Sequence, residues 1–227
     1  MPCYQLDGEL WFPPVEAAED YGLLAVGGDL SPERLLLAYS LGIFPWYNPG
    51  EPILWWSPDP RCVLFPNSLH ISRSLKRFMR KQLYRVSLNE HFSGVIYWCR
   101  RLRVGSDGSG TWITPEMKKA YIRLHQLGFA HSVECWDGDQ LVGGLYGICI
   151  GRFFFGESMF SRSKNASKVV LVHLMAHLQK QGFALLDCQQ TTDHLVSMGA
   201  EEISRKEFQQ HLQDAAVPPY GPFVSHF

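Results

Sequence analysis

Between residues 131 and 189 the apolar pattern changes period in an order that few architectures accommodate. Residues 131–136, 140–148 and 152–158 read as three successive strands, the first two joined by Asp137-Gly138-Asp139, a turn whose glycine tolerates the positive φ of a tight hairpin. A long helix is expected over 166–181, where Val170, Leu171, Leu174 and Leu178 fall on one stripe, and a further strand over 183–189. Such a run of strands, a long helix and a returning strand belongs to an α+β domain.

Upstream, helices are expected over 72–82, 92–100 and 115–127, with a strand over 84–88. The whole order is that of an acetyltransferase-like (GNAT) core. Residues 1–60 differ in kind, being rich in Pro, Gly and Trp with one clear helix. Ser31 is its N-cap, Pro32 its first residue, and Gly42 follows its last turn, while Leu35, Leu36 and Tyr39 form its apolar face. Trp55-Trp56-Ser57-Pro58-Asp59-Pro60 is expected to forbid regular structure and to brace a junction. The chain therefore divides into a small N-terminal lobe, 1–60, packed on a larger domain, 61–227.

At 227 residues, 46% hydrophobic and 19% charged, the chain can bury a core and has none of the composition of a disordered one. Its net charge of −1 excludes a uniformly basic surface, so any nucleic-acid contact must be local. Six cysteines without a C-x-x-C pair point away from zinc and from a disulfide framework, towards a reducing cytoplasm. No apolar stretch is long enough to span a membrane. The G-x-S-x-G, G-x-x-x-x-G-K-[ST] and G-x-G-x-x-G signatures of hydrolases, NTPases and dehydrogenases are absent.

Several groups of residues are candidates for chemistry. From Arg61 to Asn89 there is no acidic residue, and Arg73, Lys76, Arg77 and Arg80 share one helical face, with Lys81 beside them and Leu75, Phe78 and Met79 opposite. That face either contacts phosphates or is simply solvated. Trp46, Trp55, Trp56 and Trp112 sit in loop-like contexts, where an aromatic is either a core plug or a platform for an unstacked base. Asp187 and Gln189, two apart at a strand end, are expected on one face, as are Phe155, Glu157 and Met159. Glu157, if buried, needs a partner. His173 and His177 have the spacing of a metal pair but lack the accompanying glutamate, so no metal is expected.

Gly22-Leu23-Leu24-Ala25-Val26-Gly27-Gly28-Asp29-Leu30, Gly42-Ile43-Phe44-Pro45-Trp46, Trp55-Trp56-Ser57-Pro58-Asp59-Pro60-Arg61, Leu69-His70-Ile71-Ser72-Arg73-Ser74 and Thr111-Trp112-Ile113-Thr114 closely resemble blocks of the bacterial leucyl/phenylalanyl-tRNA–protein transferases. So do Gly156-Glu157-Ser158-Met159-Phe160-Ser161, Asn165-Ala166-Ser167-Lys168, Asp187-Cys188-Gln189 and Ser197-Met198-Gly199-Ala200. The resemblance implies a small lobe on a GNAT-like domain and transfer of Leu or Phe, and Met more weakly, from aminoacyl-tRNA to a protein beginning with Arg or Lys, marking it for degradation. It implies no cofactor, a cytoplasmic location and a monomer. By position it assigns Trp46 and Trp112 to the 3′-terminal adenosine. It assigns Arg73, Lys76, Arg77, Arg80 and Lys81 to the tRNA, Leu145, Met159, Leu171, Leu174 and Leu178 to the side-chain pocket, and Glu157, Asp187 and Gln189 to the catalytic group. Leu145 stands where the family's pocket would carry methionine, and the loop 100–110 is longer and more basic than the family's. A coenzyme A-dependent N-acyltransferase is the alternative, although 161–168 lacks a Gly-rich pyrophosphate loop.

Overall fold

The computed structural model describes residues 4–103, 110–215 and 227. A first sheet has the order β1-β2-β4-β3, from β1 (Tyr4–Leu6), β2 (Leu23–Gly27), β3 (Phe44–Pro45) and β4 (Leu54–Trp56), with helix α1 (Pro32–Ser40) between β2 and β3. The Ser31 side chain accepts the Arg34 N–H, capping α1 as expected. Trp55 and Trp56 do form a strand, contrary to the sequence expectation. Trp55 is fully buried, packs edge-on against Phe12 and donates its indole N–H to the Gly27 carbonyl, so it plugs this sheet's own core.

The second sheet runs β11-β5-β10-β9-β8-β7-β6. Along the chain, β5 (Arg61–Leu64) is followed by α2 (Arg73–Met79), β6 (Arg85–Leu88), α3 (Phe92–Arg101), α4 (Pro115–Gln126), β7 (Ala130–Asp137), β8 (Gln140–Ile150) and β9 (Phe153–Ser161). Then come α5 (Ala166–Lys180), β10 (Leu185–Gln189), α6 (Asp193–Ser197), β11 (Glu201–Ile203) and α7 (Arg205–Asp214). The meander, long helix and returning strand lie within a few residues of their expected bounds. β10 pairs parallel to β9, as a strand returning after a helix must, and every other pairing in this sheet is antiparallel. α3 and α4 cover one face of the sheet and α5 the other.

Two apolar clusters fill these faces. The first is continuous from the N-terminal sheet through α1, α3 and α4 to Phe208 and Leu212 of α7. The second joins α5, α2 and the opposite face, and includes Leu171, Leu174 and Leu178. α7 is tied to the region of the first sheet, with Gln209 Nε2 donating to the Leu41 carbonyl and the Arg205 guanidinium to that of Ser57. No helix among the described residues is long and apolar enough to cross a membrane.

Candidate functional site

β9 carries one residue more than β8 opposite it. Tyr146 pairs with Ser158 and Gly147 with Gly156, which leaves Glu157 as the extra residue of a bulge. Glycine is required at 147, where a Cβ would collide with the Phe155 carbonyl oxygen. A bulge inverts side-chain alternation beyond it. Phe155 and Glu157 therefore face the first cluster, whereas Met159 packs on the second, which corrects the expectation that the three share a face.

Glu157 is buried and finds its partners inside the protein. Tyr39 on α1 donates its O–H to Oε1 (2.6 Å), Tyr121 on α4 donates to Oε2 (2.7 Å), and Gln189 Nε2 donates to Oε1 (3.0 Å). The two tyrosine oxygens are themselves 2.5 Å apart. Burial, the largest influence, pushes the Glu157 carboxyl up to about 7, against the lowering effect of its donors. Burial and the neighbouring Glu157 charge likewise push Tyr39 and Tyr121 well above their ordinary values. Neither tyrosine is distinguishable in the sequence from an ordinary core residue. The only clue is that a buried phenol needs a partner.

Asp187 is treated differently. Arg61 on β5 grips it with two hydrogen bonds, Nε to Oδ1 (2.8 Å) and Nη2 to Oδ2 (2.7 Å), and both side chains are buried. The guanidinium is held between the rings of Phe44 (4.8 Å) and Phe208 (4.6 Å), and its Nη1 donates to the Gly42 carbonyl. Asp187 reaches Gln189 through the main chain, accepting the Gln189 N–H on Oδ1 (2.9 Å). Gln189 adopts a left-handed φ of 64°, where the β10–β5 register shifts. Both residues still line the same wall, but Asp187 bonds the Gln189 main chain, and the Gln189 side-chain amide goes to Glu157.

That wall bounds a cavity of about 440 Å³. Glu157, Asp187 and Gln189 line it together with Trp46, Trp112, Leu145, Met159 and Leu171. Leu145 and Met159 are directly paired across β8 and β9. Leu174 and Leu178 are fully buried in the second cluster and are not part of the lining, since α5 turns that section of its stripe towards the sheet. Trp46 is 38% exposed and braced by Trp56, whose indole N–H donates to the Trp46 carbonyl. Arg103 also lines the cavity, while 104–109 of the basic loop lies outside the described residues.

The basic run of the sequence is split by the fold. Arg61 is buried behind Asp187, and Arg85 is paired with Glu90 through two hydrogen bonds. Arg73, Lys76, Arg77, Arg80 and Lys81 are all exposed on or just beyond α2, with no ion pair to another of the described residues, while Leu75 is buried beneath them. His173 bonds its own helix at the Val169 carbonyl. Among the described residues no three His, Cys, Asp or Glu side chains converge on a metal-sized site.

A buried titratable carboxyl, a fixed amide and an apolar pocket in one cavity suit acyl-group transfer, and comparison with known proteins gives the class. The family model of leucyl/phenylalanyl-tRNA protein transferases matches residues 63–213, and the model of that family's N-terminal domain matches 28–59. A leucyl/phenylalanyl-tRNA–protein transferase of Syntrophotalea carbinolica is 56% identical over 99% of this chain and 100% of its own length. Those of Syntrophobacter fumaroxidans and Aromatoleum aromaticum are each 60% identical, over 92% and 96% of this chain and 88% and 92% of their own lengths. The chain belongs to the leucyl/phenylalanyl-tRNA–protein transferase family and is an aminoacyltransferase.

Proposed function

We propose that this chain moves a leucyl or phenylalanyl group, and a methionyl group more weakly, from its tRNA ester to the α-amine of a protein that begins with Arg or Lys, marking that protein for degradation. The observation that carries the reading is the single cavity in which Glu157 and Gln189 stand beside two tryptophans and an apolar wall. In this reading Leu145, Met159 and Leu171 take the transferred side chain, and Leu174 and Leu178 support that wall from behind. Trp46 and Trp112 stack the terminal adenosine, and the exposed cations of α2 meet the acceptor-stem phosphates.

The donor ester is already activated, so the main task is to hold ester and amine in attack geometry. Gln189 spends its amide N–H on Glu157, which leaves its carbonyl oxygen to accept an N–H of the incoming amine. An amide does not store a proton at neutral pH. Glu157, pushed up to about 7, is the group in the cavity suited to exchange one, and its charged form also attracts the acceptor's cationic end. Asp187 holds the Gln189 main chain.

A parallel β9–α5–β10 unit within an otherwise antiparallel sheet supports a GNAT-like reading of residues 61–227, with 1–60 as the packed lobe. We place this transferase in the cytoplasm as a monomer. The direct test is incubation with Phe-tRNA and reporter proteins beginning with Arg or Ala, followed by mass spectrometry. A phenylalanyl addition on the Arg-ended reporter alone is expected, and its absence overturns the reading. Single-turnover transfer by Gln189→Ala close to wild type would remove Gln189 from the mechanism. Glu157→Gln is expected to raise KM for the Arg-ended acceptor far more than for the tRNA.

A further inference from the structure

The ion pair between Arg61 and Asp187 fixes which way the next residue on each strand must face. Successive side chains on a strand alternate, so Cys62 and Cys188 turn together to the opposite side of the sheet, into the second apolar cluster. The register brackets them closely: Val63 pairs with Asp187 and Cys62 with Gln189, which sets Cys188 across the strand gap beside Cys62. Cross-strand neighbours have Cα atoms about 4.5–5.5 Å apart, inside the window of about 4.4–6.8 Å that a disulfide spans. Both are free thiols. The two side chains interact, and hydrogen bonding from Cys188 is the first cause that holds the Cys62 thiol below its ordinary value. The same contact and burial push Cys188 up.

Their exposures differ in a useful way. Cys62 is 1% exposed, whereas Cys188 is half-buried and lines the cavity, so a small oxidant entering the cavity meets this pair first. Cys99, Cys135 and Cys149 are buried elsewhere in the fold.

We propose that Cys62 and Cys188 form an oxidative modification site, closing to a disulfide when a peroxide enters the cavity. One thiolate attacks a peroxide oxygen and breaks the O–O bond, giving a sulfenic acid and hydroxide, which takes up the proton the thiol had lost and leaves as water. The second thiol then displaces hydroxide from that sulfur, which leaves as a second water. Two thiols and one hydrogen peroxide thus give one disulfide and two waters. The bond would tie β10 to β5 between Asp187 and Gln189, displacing the Gln189 amide from Glu157. Misplacement by about 1 Å can slow a positioned reaction about 10²-fold.

The test is treatment of the full chain with hydrogen peroxide, read by non-reducing peptide mapping and, separately, by transfer of Phe from Phe-tRNA. The mapping does not depend on the proposed activity. A linked Cys62–Cys188 peptide is expected, with transfer falling between about ten- and a hundredfold and returning on addition of dithiothreitol. Cys62→Ala should resist the same peroxide dose, and Cys62→Ser provides a second variant if alanine destabilises β5. The proposal is overturned if no linked peptide forms, if the linked protein transfers at the untreated rate, or if the folded Cys62 variants lose activity as fast as wild type.

Discussion

Asp187 and Glu157 are both buried in the wall of one cavity, yet among the described residues Asp187 is ion-paired with a guanidinium and Glu157 with no cation. The Arg61–Asp187 pair is closed, its guanidinium gripped by two carboxylate bonds, two rings and a carbonyl. Around Glu157 the donors are neutral, two phenols and an amide, so taking up a proton strands no positive partner, and burial favours that uncharged form. Two carboxylates about equally removed from water thus differ because of their partners. One is built into a fixed ion pair, and the other has its carboxyl pushed up by burial among neutral donors.

Breaking the closed pair should have the largest effect. Arg61→Ala strands the Asp187 carboxylate and is expected to lower stability by about 3–5 kcal/mol in denaturant unfolding, with Arg61→Ala/Asp187→Ala recovering part of the loss. An Arg61→Ala variant as stable as wild type would show that the pair is not the anchor described.

Next in size is the neutral cluster. Tyr39→Phe and Tyr121→Phe each remove a hydrogen bond to a titratable carboxyl, an expected loss of about 1.5–3 kcal/mol. Each should also move the Glu157 midpoint, followed by infrared or NMR titration, further above about 7, because a donor that favours the charged form is gone. A downward shift would contradict the assigned direction of these bonds.

Glu157→Gln sharpens the comparison through pH. Glu157 titrates at about 7 in the fold against an ordinary 4.5, so between those values the folded chain binds more protons than the unfolded one. The stability this contributes is complete below about pH 4.5 and is lost as pH rises through about 7. His131, pushed down to about 4 by burial, acts in the opposite sense from about 6.5 downwards, so the wild-type curve alone is ambiguous. The difference between wild type and Glu157→Gln cancels His131. It should show the variant gaining relative stability from pH 4.5 to 7, and a flat difference would exclude Glu157 as the titrating group. In activity, the rise of kcat/KM for the acceptor through pH 7 should be lost in the same variant.

The smallest effect on the fold is expected at the open surface. Arg77→Ala should change stability by less than about 0.5 kcal/mol while lowering the salt dependence of tRNA binding by about one counterion. An unchanged salt slope would leave α2 as a solvated face.

The strand meander, α5 and the returning β10 were legible because apolar spacing and turn chemistry act locally, and the same holds for the Ser31 cap and the apolar underside of α2. Glu157, Asp187 and Gln189 stand out in the sequence as polar interruptions in apolar strands, and the fold brings the three to one cavity wall. Trp55 was misread because a strand of three residues is made by its neighbours β2 and β3 rather than by its own pattern.

What only tertiary structure decided is who meets whom across long separations. Arg61 lies within a run of like charge and reads as part of a basic surface, until β5 pairs with β10 and places it on Asp187. Tyr39 and Tyr121 read as core residues, until α1 and α4 converge on a bulge that one extra residue in β9 creates. Sequence spacing fixes which residues share an element and a face. Partner, charge environment and proton affinity depend on packing between elements, and the two carboxylates of the cavity acquired their different characters there.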